Sequence, residues 1–207
     1  MAITHGYATL ADIKAENDSL AAHGTAMDTS FERAIETASR AVDKYCRRRF
    51  WTNGTAEVRT YTATNCEWID VDDLATNTFT VETSSAFDRV FDVTWAASDY
   101  QTEPLNNEVN GIAWPTTKLV AVGDYAFSPN RIATVKVTGC FGFGTAVPTE
   151  VVDATVQLSL RRIARKSSPT GVQSSSEFGP IYISRKTDPD VAAVLDDFRR
   201  MGGISVA

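Results

Sequence analysis

The hydrophobic period of this chain changes twice, and that double change limits what it can fold into. From Phe31 the apolar residues Phe31, Ile35, Ala38, Val42 and Tyr45 recur at spacings of three and four, the stripe of a long amphipathic helix. Past Asn53-Gly54 the pattern becomes short runs rich in β-branched and aromatic residues. They are Val58–Thr62, Trp68–Val71, Phe79–Val81, Val90–Trp95, Tyr100–Thr102, Leu119–Val122 and Ile132–Val137. Asn106-Asn107, Asn110-Gly111, Gly123-Asp124 and Pro129-Asn130 punctuate them. From Pro148 the helical period returns in Val152, Val156, Leu160 and Ile163. A strand-rich stretch between two helical ones predicts an α+β chain, a small helical bundle interrupted by an inserted β-sandwich or barrel-like module. The boundaries read as 1–54 for the first helical part, 55–140 for the insert and 141–207 for the second helical part.

End signals sharpen this reading. Thr9 and Asp12 form a capping-box pattern for a first helix from Leu10 to about Asn17. Asp28, Thr29 or Ser30 starts the second, expected over 28–50 with Arg47, Arg48 and Arg49 in its last turn. Pro148 suits the first turn of a third helix, 148–167, ending in Arg161, Arg162, Arg165 and Lys166. Residues 167–186 are rich in Ser and Gly and read as a mobile loop that orders on assembly, with Ile181–Ile183 as a short strand or extended arm. Asp188-Pro189-Asp190 starts a last helix over 188–201, striped by Val191, Val194, Leu195 and Phe198 and stopped by Gly202-Gly203.

Charge and side-chain chemistry exclude most enzyme classes. Residues 51–147 hold five Lys/Arg against twelve Asp/Glu, a balance of −7, which argues against a phosphate-gripping face there. The only histidines, His5 and His23, fall in segments expected at the surface, so no histidine base is expected. Asp70, Asp72 and Asp73 begin like a calcium loop, but Ala75 stands where the loop glycine belongs and Val81 where the bidentate acid belongs. That acid run reads as a solvated turn. Gly139–Gly144 precedes a helix without the Gly-Lys-Ser/Thr of a phosphate loop and reads as a strand-to-helix turn. Cys46, Cys66 and Cys140 are odd in number, lack zinc spacing and are expected as buried free thiols in a reducing compartment. The N-terminus lacks a signal-peptide pattern, and no apolar run nears the ~18 residues of a membrane span. No catalytic residue, metal or cofactor is expected.

Two blocks carry a resemblance. YATLADIKA followed by FERAIETASRAVDKYCRRRF covers Tyr7–Phe50, and the glycine turn, VP, SSPTG, IYISR and DPDVAAVLDDFRR cover Phe141–Met201. Together, about half the chain resembles the head–tail connector (head-completion or adaptor) proteins of long-tailed bacteriophages. The strand-rich insert departs from the shortest members, which are nearly all helical, and is similar to the added β module of larger ones. The resemblance implies a non-enzymatic virion protein of the neck. It implies a homo-oligomeric, dodecameric ring under the portal protein, extending the DNA channel toward a further neck or tail-completion protein. DNA would pass without sequence-specific binding. It also implies portal docking by the C-terminal segment, which falls here on Ile181, Tyr182, Ile183, Val191, Leu195 and Phe198. The basic clusters Arg47–Arg49 and Arg161, Arg162, Arg165 and Lys166 then face a neighbouring subunit or DNA, or are helix-end charge alone. The competing reading is a β-sandwich ligand- or carbohydrate-binding module, with Trp51, Trp68, Trp95 and Trp114 as a stacking platform.

Overall fold

A computed structural model describes residues 3–16, 24–109, 111–167, 188–200 and the backbone of 172–175 and 179–182. The chain is α+β, as its two periodicities require, and its described residues divide into two compact units. Residues up to 48 and from 147 onward form one, and Arg49–Ala146 forms the other.

The helical unit starts at α1 (Leu10–Ala15). Its capping box is complete: Asp12 N–H donates to Thr9 Oγ1 at 3.2 Å, and Thr9 N–H donates to Asp12 Oδ2 at 2.7 Å. Helix α2 (Asp28–Cys46) buries Phe31, Ile35, Ala38 and Val42 as its period predicts, but Cys46 rather than Tyr45 ends the buried stripe. It also stops four residues before the expected end. Arg47 is left-handed (φ 55°), and the Arg47 and Arg48 amides both turn back to the Asp43 carbonyl. That exit puts Arg48 and Arg49 outside the helix, so the three arginines do not share its last turn.

Helix α3 (Thr149–Ser167) begins just after Pro148, whose carbonyl accepts from the amides of Val151 (3.0 Å) and Val152 (3.1 Å). Val152, Val156, Leu160 and Ile163 pack with Ile13 and Ile35. A second face buries Val151, Ala154, Thr155 and Ser159. The buried hydroxyls are satisfied locally: Thr155 donates to the Val151 carbonyl (2.8 Å) and Ser159 to that of Thr155 (2.7 Å). On α2, Ser39 accepts from the Tyr7 amide at 3.0 Å and donates to the Ile35 carbonyl at 2.8 Å.

The other unit is one continuous six-stranded antiparallel sheet. Its strands are β1 (Glu57–Tyr61), β2 (Trp68–Thr83), β3 (Val93–Trp95), β4 (Tyr100–Glu103), β7 (Thr116–Ala121) and β8 (Val135–Phe141), in the order β1-β8-β2-β7-β4 with β3 also on β2. The short hairpin β5 (Glu108–Val109) and β6 (Ile112–Ala113) lies outside it. Strand β8 alternates strictly, with Val135, Val137, Gly139 and Phe141 buried. Strand β2 is longer than its sequence implies. Its first part pairs with β7 and its last with β8 and β3, and the register shifts between Asp70 and Leu74 and again between Leu74 and Phe79. These irregularities bend the strand, so side chains from both halves, Ile69, Val71, Leu74 and Val81, reach one core with Tyr61, Leu119 and Phe127.

Several expectations are revised here. Asp70–Asp73 lie in β2, not in a turn, because the strand is paired on both sides of them. The Val90–Trp95 run is strand only from Val93, since Asp88 and Asp92 accept hydrogen bonds that fold residues 84–92 into a loop. The Ile132–Val137 run is strand only from Val135, after Asn130 and Ala133 adopt positive φ.

Strands β9 (Val172–Ser175) and β10 (Gly179–Tyr182) pair as a hairpin where the polar run predicts a loop. A two-stranded ribbon leaves each strand a free edge, which tolerates Pro180. Most of 167–186, Ile183 included, lies outside the described residues. Helix α4 (Pro189–Asp196) has the expected Asp188 cap, which accepts from the Asp190 amide at 3.2 Å, and ends before the expected 201.

Candidate functional site

Helix α4 is short, and the apolar side chains expected to anchor it elsewhere are engaged at home. Val191, Leu195 and Phe198, expected as anchors for a partner's groove, are 2%, 0% and 4% exposed within the helical unit. Only Val194 of that stripe is open, at 40%. Polar contacts fix the same segment to α2. The Cys46 thiol donates to the Leu195 carbonyl at 3.6 Å, the Tyr45 hydroxyl to Asp196 Oδ1 at 2.8 Å, and the Arg200 amide to the Cys46 carbonyl at 2.9 Å. The hydrogen bond to Asp196 raises the Tyr45 phenol above its ordinary value, and burial pushes the Cys46 thiol up to about 12. Of the other docking residues, Ile181 and Tyr182 lie in β10 and Ile183 is not described.

The basic clusters separate. Arg47 is exposed at the end of α2 and Arg48 is half-buried. Arg49 belongs to the strand-rich unit, where it donates to Glu57 Oε1 (2.9 Å) and the Phe141 carbonyl (2.6 Å) and lies 4.2 Å over the Trp51 ring. On α3, Arg161 approaches Asp188 Oδ2 at 3.6 Å, Arg162 is exposed and Arg165 half-buried. The Lys166 side chain is not described. The fold assembles a different basic patch. The hydrogen bond from the Arg200 amide to the Cys46 carbonyl, with the Arg199 guanidinium 5.9 Å over the Tyr45 ring, brings Arg199 and Arg200 to the end of α2 that carries Lys44 and Arg47. Sequence reading misses this patch because its halves lie at opposite ends of the chain.

A second unforeseen cluster stiffens one edge of the sheet. Arg59 donates to Asp72 (2.7 Å) and Glu57 (3.1 Å) and sits 4.1 Å over the Phe141 ring, and the Tyr61 hydroxyl donates to the same Asp72 oxygen at 3.1 Å. Burial alone would raise the Glu57 carboxyl, but the bonds from Arg49 and Arg59 outweigh it and hold the group below its ordinary value. Thus Asp72 is a structural ion-pair partner, Asp70 is exposed and Asp73 is buried. Gly142 closes the glycine turn at φ +145°, and a Cβ there would stand 2.4 Å from the Trp51 carbonyl oxygen.

The tryptophans do not gather. Trp95 stacks on Phe127 in the core, Trp114 meets Phe143 edge-on, Trp51 lies under Arg49 and Trp68 under Lys118. No stacking platform results. Of the thiols, only Cys46 is buried; Cys66 is exposed and Cys140 intermediate, because Cys66 falls in the turn before β2 and Cys140 on the outward side of β8. His5 is half-buried, with its backbone bonded to Glu36 and Arg40. His23 is not described. Among the described residues, no group of three or more His, Cys, Asp and Glu is placed to hold a metal, and no helix is long and apolar enough to cross a membrane.

No family model matches the chain, and no curated protein matches it in sequence. Solved structures do match in fold. One is a chain from the neck of a native GTA particle computed with C12 symmetry, at 12% identity and a TM-score of 0.55, over 99% of this chain and 95% of that one. Another is from the neck of an empty GTA particle computed with C6 symmetry, at 15% identity and a TM-score of 0.56, over the same shares. What this chain has in common with both is its fold, along nearly the whole length of each.

Proposed function

We propose that this protein is a structural subunit of the neck of a phage-like particle. On this reading it forms a twelve-fold ring that joins the head to the tail and extends the DNA channel. The observation that carries the reading is the end-to-end fold match, helical unit and strand-rich unit together, to chains of gene transfer agent necks with C12 and C6 symmetry. It agrees with the resemblance of 7–50 and 141–201 to head–tail connectors, which arises from different information. A ring protein needs surfaces for neighbours rather than a reaction centre, and the reading assigns no catalytic role.

The portal protein is the partner on the head side, and a further neck or tail-completion protein is the partner on the other. The hairpin β9–β10 and α4 are the proposed portal-facing segment. The burial of Val191, Leu195 and Phe198 gives those residues a different part in it: they hold the segment to its own unit. Acid on the strand-rich unit suits a channel protein, because repulsion between carboxylates and phosphates keeps DNA free to slide.

The test is a deletion of the gene from a producing strain, with particles imaged by electron microscopy. DNA-filled heads without tails are expected, with tailed particles restored by the full chain. Normal tailed particles from the deletion strain would refute the proposal.

A further inference from the structure

The strand-rich unit holds a cleft of about 270 Å³ where its 84–92 and 124–134 loops meet. Trp95 lies along it, 5% exposed, stacked on Phe127 at 4.7 Å and against Tyr125 at 5.0 Å. Carboxylates gather around this aromatic floor. Asp124 lines the cleft directly. The lining hydroxyl of Ser84 donates to Asp88 at 3.2 Å, and Ser85 donates to Asp92 through its amide at 2.9 Å and through its hydroxyl. The Tyr125 phenol bonds to Asp99. Thr134, 2% exposed, lines the same cleft, and its hydroxyl has no hydrogen-bond partner among the described residues. A buried hydroxyl left unpaired is uncommon and marks a place where an incoming polar group gains a bond. The surrounding loops are also held in uncommon backbone states, with positive φ at Phe87, Arg89, Asn130 and Ala133.

Of this unit's six Lys and Arg, four pair with carboxylates, and Arg89 and Arg131 lie in the loops that flank the cleft. Arg49 and Arg59 pair with Glu57 and Asp72, Lys118 with Glu103, and Lys136 with Glu82. Arg131 lies 4.9 Å over the Phe87 ring. A cleft lined by Asp124, flanked by Asp88, Asp92 and Asp99 in the adjoining loops and open at the exposed Tyr125 ring, suits a flat, weakly hydrated guanidinium that stacks and donates several hydrogen bonds at once. The helical unit presents that chemistry on its surface, where Arg47 and Arg199 are exposed beside Lys44.

We infer that the cleft receives an arginine from the Arg47–Arg199 patch of a second copy of this chain. The choice of occupant rests on charge complementarity between the two surfaces and on the ring reading above. Because the patch and the cleft are different surfaces, the contact is head-to-tail, the kind that closes into a ring when the rotation allows.

Self-association of the purified full chain, followed by sedimentation velocity at low and high salt, tests this. Wild type should associate at low salt and dissociate as salt rises. Arg47→Glu/Arg199→Glu and Asp124→Lys should each weaken self-association tenfold or more. Mixing the two variants should restore it, because each reversed surface then meets its complement. Thermal melts check folding, and the alanine versions replace any reversal that fails to fold. The inference is overturned if wild type stays monomeric at sub-millimolar concentration in low salt, if the variants associate like wild type, or if mixing restores nothing. It is also overturned if labelled duplex DNA binds the patch while self-association ignores Arg47 and Arg199. None of these outcomes bears on whether the protein sits in the neck, which imaging of particles decides.

Discussion

Leu195→Ala separates a core helix from a docking arm. Leu195 is fully buried on α4, with its carbonyl receiving the Cys46 thiol. Truncating such a leucine removes its transfer free energy and leaves a cavity, together about 2–5 kcal/mol. The eight residues of α4 are too few to be helical without tertiary support. A chain of this size loses about 2–4 °C of melting temperature per kcal/mol, so a middle value of ~3 kcal/mol lowers the transition by roughly 6–12 °C. The assay is the circular dichroism transition at 222 nm, in heat and in urea, with Val194→Ala as the control on the open side of the same helix. The control should stay within about 0.5 kcal/mol of wild type. A Leu195→Ala protein as stable as the control, yet unable to enter the neck, would refute the argument and return this side chain to a partner's groove.

Three further outcomes are expected. Gly142→Ala should cost about 2–4 kcal/mol in urea unfolding, since the new methyl meets the Trp51 carbonyl in a backbone state that L-residues avoid; an unchanged midpoint would mean the turn can move aside. Glu57 is held below its ordinary value, so its contribution is present above the unfolded value, about 4.3, and lost as the pH falls through the folded one. Glu57→Gln should therefore lower stability at pH 7 and flatten its fall on acidification, and an acid limb identical to wild type's would contradict this. Thiol labelling of the native protein should modify exposed Cys66 quickly and leave Cys46, buried and pushed up to about 12, unreacted until unfolding; a fast phase surviving Cys66→Ser and lost with Cys46→Ser would reverse the assignment.

Local signals carried the helices and tertiary pairing carried the rest. Thr9 with Asp12, and Asp188 with Pro189, sit at the helix starts they announce, because a cap is decided by residues three positions apart or fewer. The end of α2 was misplaced because three arginines look like a helix end, whereas one left-handed residue, Arg47, sets the exit. The Asp70–Asp73 run looks like a turn by composition and is strand because β7 and β8 pair on either side of it. Nothing local marks Val172–Ser175 as a strand; its partner Gly179–Tyr182 does. The same limit hid both candidate surfaces. The patch joins Arg47 to Arg199, and the cleft joins Trp95 to Thr134, and no spacing rule links residues so far apart. The tryptophan platform failed for the opposite reason, since counting indoles says nothing of which side of a sheet each one takes.

The strand-rich unit begins and ends at one place. The Phe143 amide donates to the Arg49 carbonyl at 2.8 Å, and Gly142 lies against the Trp51 carbonyl. Whatever the length of chain between those points, its two ends emerge side by side. The entropy of closing a loop grows with the separation it must bridge in the unfolded chain, but a prefolded insert with adjacent ends behaves as a very short connection. Such a cassette can be gained or lost in one genetic step without changing the distance the helical part must span.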